Sequence, residues 1–256
     1  MPDAPDASSS AQPPVAPGTP VARVKALVFD VFGTVVDWRG SVIREGEALG
    51  RRFGLTVDWA RFADEWRRVG YRDGIARVRR GDLPWMNADA LHRRQLDAQL
   101  AAYGLAGLEA PEIEHFNRVW HRLDPWRDSV PGLIRLRHKY IISPLSNGSF
   151  ALLTNLARHA ALPWDCILSA ELVRAYKPDP AAYAMAPALL DLAPHEVMLV
   201  AAHAGDLRAA GASGLRTAFV PRPLEHGPDG PQEPAPDPSF DVVATDFEDL
   251  AARLGT

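Results

Sequence analysis

The sequence predicts an α/β fold, a doubly wound parallel sheet with a helical subdomain inserted after its first strand. Two observations carry this. Short, fully apolar runs alternate with helical stretches through the second half of the chain, and roughly a hundred residues of a different, amphipathic character separate the first run from the second. A run that is apolar on both faces belongs in a parallel sheet covered by helices on each side.

Taken in order, the chain begins with "MPDAPDASSSAQPPVAPGTP", rich in Pro, Ala and Ser and lacking a basic region followed by an apolar one. Residues 1–22 are therefore expected to be a disordered tail and not a signal peptide. The run "VKALVFD" (24–30) is the first strand. Beyond it, Trp59, Phe62, Trp66 and Val69 recur at steps of three and four, as do Ile113, Phe116, Trp120 and Leu123, with Leu96, Leu100 and Tyr103 similarly placed. That spacing gives amphipathic helices, so residues 39–125 are expected to form the inserted helical subdomain. The α/β core, residues 23–38 and 126–256, resumes with the strands "KYIISPLS" (139–146), "CILS" (166–169) and "VMLVAA" (197–202). "RTAFV" (216–220) and the weaker "FDVVA" (240–244) add a fifth and a sixth. Between the strands lie helices around Leu152, Leu153 and Leu156, from Tyr183 to Leu190, and from Asp206 to Ala212. Pro221 to Pro238, dense in proline and glycine, is expected to be a surface loop. This Rossmann-like arrangement binds ligands beyond the carboxyl ends of its strands.

Composition removes several function classes. The 256 residues are 47% apolar and 23% charged, with a net charge of −4, which gives no electrostatic case for nucleic acid or an anionic membrane. Cys166 is the only cysteine, so neither an intrachain disulfide nor a thiolate metal cluster can form, and within "WDCILS" it reads as a small buried hydrophobe. No run approaches the roughly eighteen apolar residues of a membrane span. A cytoplasmic location is expected, and a homodimer is left open.

The strand ends are informative. The first delivers Asp30, in "FDVFGTVVDW". The second delivers Ser146 and Asn147 in "PLSNGS", the third leads through "AELVRAY" to Lys177 in "YKPDP", and the fourth ends in "AAHAGD" with His203 and Asp206. An acid, a hydroxyl and amide pair, a lysine and a second acid thus meet at one sheet edge. In that combination and order the chain resembles the haloacid dehalogenase superfamily, from about Lys25 to about Pro221. Within the superfamily it is most similar to the hydrolytic (type II, L-) 2-haloacid dehalogenases, and the inserted helices match their cap.

The resemblance implies a chemistry and a set of roles. The superfamily's phosphatases carry a second Asp two residues after the nucleophile, and further acids that help bind Mg²⁺. Here the second-Asp position holds Phe32 and the first of the further acids is replaced by Ala202, while Asp206 matches the later one. A multiply anionic phosphoryl group needs cations before a carboxylate can attack it, whereas a halide leaves without a proton. The expected reaction is therefore metal- and cofactor-free hydrolysis of short 2-haloacids, fluoroacetate included, to 2-hydroxy acids through an ester on Asp30. Mg²⁺-dependent phosphatase action, attack on another activated carbon such as a strained ring, and a binding protein without catalysis are the alternatives.

In that scheme Asp30 is the nucleophile, Thr34 orients it and Lys177 keeps it ionised. Ser146 and Asn147 hold the substrate carboxylate, and Asp206 positions the hydrolytic water or pairs with Lys177. Arg67, in "EWRRVGY", binds halide and carboxylate, with Arg68 the competing choice, while Val31, Phe32 and Tyr183 line the pocket. Ser149 reads as a helix cap and Gly148 as a turn residue. One departure stands out. Where the family commonly has an Asn, with a Ser two residues before it, this chain has His203 and Ala201. A histidine there is a water activator, a halide donor or a packed structural residue. His115 and His121, six apart on poorly matched helix faces, do not suit a metal.

Overall fold

The computed structural model describes residues 18–105, 107–231 and 237–256. Most of the expected tail falls outside these residues, but its end does not: Pro20–Arg23 forms a 3-10 turn whose Val21 is buried.

Strand β1 (Ala26–Phe29) has no accessible side chain, as expected for the centre of a parallel sheet. It pairs in parallel with two later strands. Ala26 is in register with Ile141 of β4 (Ile141–Ser146) on one side and with Val197 of β6 (Val197–Ala201) on the other. With β5 (Leu168–Ser169), β7 (Arg216–Phe219) and β8 (Val242–Val243) the order is β5-β4-β1-β6-β7-β8, every pair parallel. All six expected strands are present. The alternation of β1 divides the core: Leu27 and Phe29 face one apolar cluster, Ala26 and Val28 the other. The first cluster includes Leu133 and Leu136 of α6 (Ser129–Arg137), Leu152 and Leu156 of α7 (Phe150–His159) and Phe247 of α10 (Phe247–Arg253). The second includes Tyr183 and Met185 of α8 (Pro180–Leu190) and Leu207 of α9 (Ala204–Ala212). Helices thus cover both faces. Because the chain leaves β1 toward β4 and returns on its other side as β6, the crevice opens at the carboxyl end of β1.

A pairing the sequence did not announce joins the inserted helices to this core. Two-residue strands β2 (Val36–Asp37) and β3 (Asp124–Pro125) run antiparallel, Val36 opposite Pro125. Between them lie α1 (Trp38–Phe53), α2 (Trp59–Glu65), a π-helical segment (Trp66–Asp73), α3 (Gly74–Arg80), α4 (Ala88–Ala102) and α5 (Ala110–Asn117). Asp37, Asp58 and Asn87 cap α1, α2 and α4 by accepting from backbone N–H groups of the first turn. Trp59, Phe62, Trp66, Phe116 and Trp120 pack into the cluster that also holds Leu27 and Phe29, so the insert is seated on the sheet side. Polar bonds reinforce the contact: Asn87 Nδ2 donates to Glu171 at 2.8 Å, Ser149 Oγ to Asp89 at 2.6 Å and Tyr176 Oη to the Met86 carbonyl at 2.7 Å.

The expected surface loop after β7 needs correction. Within it Arg222 pairs with Asp128 at 2.7 Å, and Glu225 is buried. No helix among the described residues is long and apolar enough to cross a membrane.

Candidate active site

Asp30 follows β1 directly, and its N–H still bonds the Val200 carbonyl at 3.0 Å, so the sheet fixes its backbone. The chain then turns sharply through Gly33, whose φ of +88° only glycine adopts without strain. The turn brings Thr34 back onto the acid: its Oγ1 donates to Asp30 Oδ2 at 2.8 Å and accepts from Ala202 N–H at 2.9 Å. Lys177 Nζ donates to Asp30 Oδ1 at 3.1 Å and to Asp206 Oδ2 at 2.5 Å. His203 Nδ1 lies 3.1 Å from Asp30 Oδ2, and its Nε2 lies 2.8 Å from Glu225 Oε2.

These contacts decide the charges. Burial alone would raise the pKa of Asp30, but Lys177, His203 and the Thr34 hydroxyl together hold its carboxyl well below the usual range. Burial would equally discharge Lys177, and the facing carboxylates of Asp206 and Asp30 overcome it, raising its pKa. His203 is driven against its burial up to about 10 by bonds to Asp30 and Glu225, so the free site holds an imidazolium between two carboxylates. Glu225 is shifted down by His203 and by the Trp38 indole, against its burial.

The expected residues fall into two groups. Asp30, Phe32, Arg67, Asn147, Lys177, Tyr183, His203 and Asp206 all line one cavity of about 500 Å³. Arg67, on the π-helical segment, spreads its guanidinium over Phe32, Trp38 and Tyr71, with the carbon 5.0, 5.4 and 4.2 Å from their ring centres. Its Nη1 is buried without a hydrogen-bond partner among the described residues. A cation in an aromatic cage with an unmet donor suits an anion. Arg68 instead points to solvent, 3.8 Å from Asp73. Tyr183 Oη donates to Asp206 Oδ1 at 2.6 Å, so both oxygens of that acid are engaged.

The remaining expectations are relocated. Ser146 and Val31 are buried beneath the cavity, and Ser146 Oγ accepts from Gly148 N–H at 3.1 Å, tightening its own turn. Asn147 reaches the wall, but its amide grips Lys177: Oδ1 accepts from the Lys177 N–H at 2.7 Å, and Nδ2 donates to the carbonyl at 3.3 Å. These two bonds fix the backbone of Lys177 beside the cavity. Ser149 caps α7, as expected.

Sequence reasoning missed Tyr71 and Glu225. Tyr71 stands in the same "EWRRVGY" stretch as Arg67, four residues on and hence on the same helix face, which was a usable signal. Glu225 gave none, because it sits among prolines and glycines. The fold admits it only because residue 33 lacks a side chain: a Cβ there would lie 2.2 Å from Glu225 Oε1.

The donor set does not suit a hard dication. The two facing acids, Asp30 and Asp206, are already bridged by an ammonium group, and the side chains of Phe32 and Ala202 supply no oxygens. Among the described residues no cluster of three metal-ligating side chains occurs.

A family model described as haloacid dehalogenase-like hydrolase matches residues 24–214. An (S)-2-haloacid dehalogenase of Xanthobacter autotrophicus is 30% identical over 212 residues, covering 78% of this chain and 76% of its own. (S)-2-haloacid dehalogenase 1 of Pseudomonas sp. (strain CBS-3) is 28% identical over 220 residues, 78% of this chain and 85% of its own. Among solved structures, an L-2-haloacid dehalogenase superposes with a TM-score of 0.87 at 47% identity, covering 90% of this chain and 98% of that one. A defluorinating L-2-haloacid dehalogenase gives 0.87 at 46% identity, over 91% and 96%.

Proposed function

Because this chain belongs to the haloacid dehalogenase-like hydrolases, we propose that its cleft hydrolyses the carbon–halogen bond of short (S)-2-haloacids, giving 2-hydroxy acids without a metal ion. The observation that carries this reading is the pairing of Asp30 with Lys177, 3.1 Å apart, under a cationic Arg67 caged by aromatic rings. An acid kept ionised in a buried site is a nucleophile, and a guanidinium whose buried Nη1 has a spare donor holds a small anion beside it.

In the first step an oxygen of Asp30 attacks C2 of the substrate as the carbon–halogen pair departs with the halide. One displacement inverts that carbon and leaves an ester on Asp30. Halide needs no proton, so the aromatic Phe32 next to the nucleophile shields the attacking oxygen from water at no chemical cost. Holding oxygen and carbon in line supplies roughly 7–11 kcal/mol of the barrier reduction. Arg67 binds the carboxylate or the departing halide, and Lys177 balances the charge on Asp30 and Asp206 in turn. Water then hydrolyses the ester. The likeness to a defluorinating enzyme supports fluoroacetate as a substrate. The enzyme works in the cytoplasm, where the single thiol of Cys166 needs no partner.

The test is halide release from fluoro-, chloro- and bromoacetate and from both 2-chloropropionate enantiomers, with and without a chelator. Chelator-indifferent release, favouring the (S)-enantiomer, is expected. No halide from any of these, alongside Mg²⁺-dependent cleavage of a phosphate ester, would overturn the reading.

A further inference from the structure

We propose that His203, oriented by Glu225, is the general base that draws the proton from the water hydrolysing the Asp30 ester; this rests on the reaction proposed above. Three observations support it. Glu225 fixes one ring nitrogen, Nε2, at 2.8 Å, which leaves Nδ1 as the working nitrogen. Nδ1 stands 3.1 Å from Asp30 Oδ2, beside the carbon that water must strike once Oδ1 carries the substrate. The other candidate, Asp206, has both oxygens engaged, by Lys177 and by the Tyr183 hydroxyl at 2.6 Å.

Glu225 is itself held by design of the fold. Its Oε1 accepts from Trp38 Nε1 at 3.0 Å, and its carboxylate lies against the bare backbone of Gly33. A nucleophile, a base and a third group that orients the base is the arrangement of covalent hydrolysis on unrelated folds. Here the order of events differs, because the base pairs with the nucleophile before the first step.

The protons balance as follows. In the free enzyme the imidazolium donates to both carboxylates. Esterification removes the charge on Asp30, so His203 loses one of the two anions that hold its proton and releases that proton to solvent. Glu225 retains the Nε2–H. Nδ1 then takes a proton from water as the water oxygen bonds to Cγ of Asp30. The tetrahedral carbon breaks its bond to the substrate oxygen, which receives the second water proton and leaves as the 2-hydroxy acid. Asp30 is a carboxylate again and His203 an imidazolium, so each turnover nets one hydroxy acid, one halide and one proton. His203 is a catalytic residue in this scheme, and Glu225 a positioning residue.

The test follows chloride and glycolate separately after rapid mixing with chloroacetate, for wild type, His203→Asn and Glu225→Gln. Glutamine keeps an acceptor for Trp38, so it spares that contact. Both variants should release one chloride per site in a burst that outruns their own glycolate formation. Glycolate should then form roughly 10²–10⁴-fold more slowly in His203→Asn, and more slowly than wild type in Glu225→Gln. Mass spectrometry should find the ester on the peptide holding Asp30. Glu225→Asp, which shortens but keeps the carboxylate, should recover part of the loss. The proposal is overturned if glycolate keeps pace with chloride in both variants. It is overturned equally if chloride and glycolate slow together with no ester trapped. Failure of the underlying reaction is read separately, as wild type that yields no chloride.

Discussion

Replacing Lys177 by methionine tests how the cleft keeps its nucleophile charged. Methionine preserves much of the apolar stem and deletes a charge that sits 3.1 Å from Asp30 and 2.5 Å from Asp206. At an effective dielectric constant of about 20, the first contact alone is an attraction of about 5 kcal/mol before desolvation is subtracted. Breaking a buried pair from one side costs about 3–5 kcal/mol, because the partner remains as an unmatched charge. For a chain of this length each kcal/mol moves Tm by roughly 2–4 °C, so calorimetry should find Tm lowered by roughly 6–20 °C. Asp30 then loses one of the two cations that stand 3.1 Å from it, and its pKa rises toward the ordinary carboxylate range. The acid limb of the halide-release profile should move up in pH. Adding Asp206→Asn removes the stranded neighbour and should recover part of the lost Tm, a coupling that a double-mutant cycle measures. A Lys177→Met protein that melts within about 2 °C of wild type and releases halide with an unmoved pH profile would refute the reasoning.

Three further outcomes follow from the same geometry. The pKa of His203 is raised from 6.5 to about 10 by its two carboxylates, so its contribution to stability is complete below pH about 6.5 and is lost as pH rises through about 10. Denaturant titrations should therefore show the advantage of wild type over His203→Gln shrinking between pH 7 and 10; a constant gap would contradict this. Arg67→Met should raise KM roughly 10- to 100-fold, as expected for losing a charged hydrogen bond to the substrate, and an unchanged KM would place the anion elsewhere. Gly33→Ala forces a φ of +88° on alanine and drives a methyl into Glu225, costing about 1–3 kcal/mol in backbone strain. After rapid mixing, the first halide per site should slow less than product formation, and equal slowing of the two would argue against Glu225 serving the second step.

How much of this was legible depended on whether a residue's setting is local. The strands could be read because parallel strands buried on both faces must be apolar throughout, and their order placed Asp30, Lys177, His203 and Asp206 at one edge. Arg67 was legible through the family resemblance, supported by its neighbours Trp66 and Val69 on the apolar helix face it flanks. The β2–β3 pair was not, since two residues carry no alternation. The resemblance assigned Asn147 to the substrate carboxylate; which of its donors remain free depends on Lys177, thirty residues away in the chain. Glu225 was the hardest. Its loop has an exposed composition, and only Trp38, Gly33 and His203, all distant in sequence, turn it inward. A site residue held wholly by long-range contacts leaves no periodicity to read.

The central claim is that the carboxylate of Asp30 attacks carbon and water attacks the resulting ester. A single turnover in oxygen-18 water, with enzyme in excess over chloroacetate, tests it most directly. The account requires the label in the peptide containing Asp30 and an unlabelled glycolate. Labelled glycolate with unlabelled Asp30 would show water striking the substrate itself, and would contradict it.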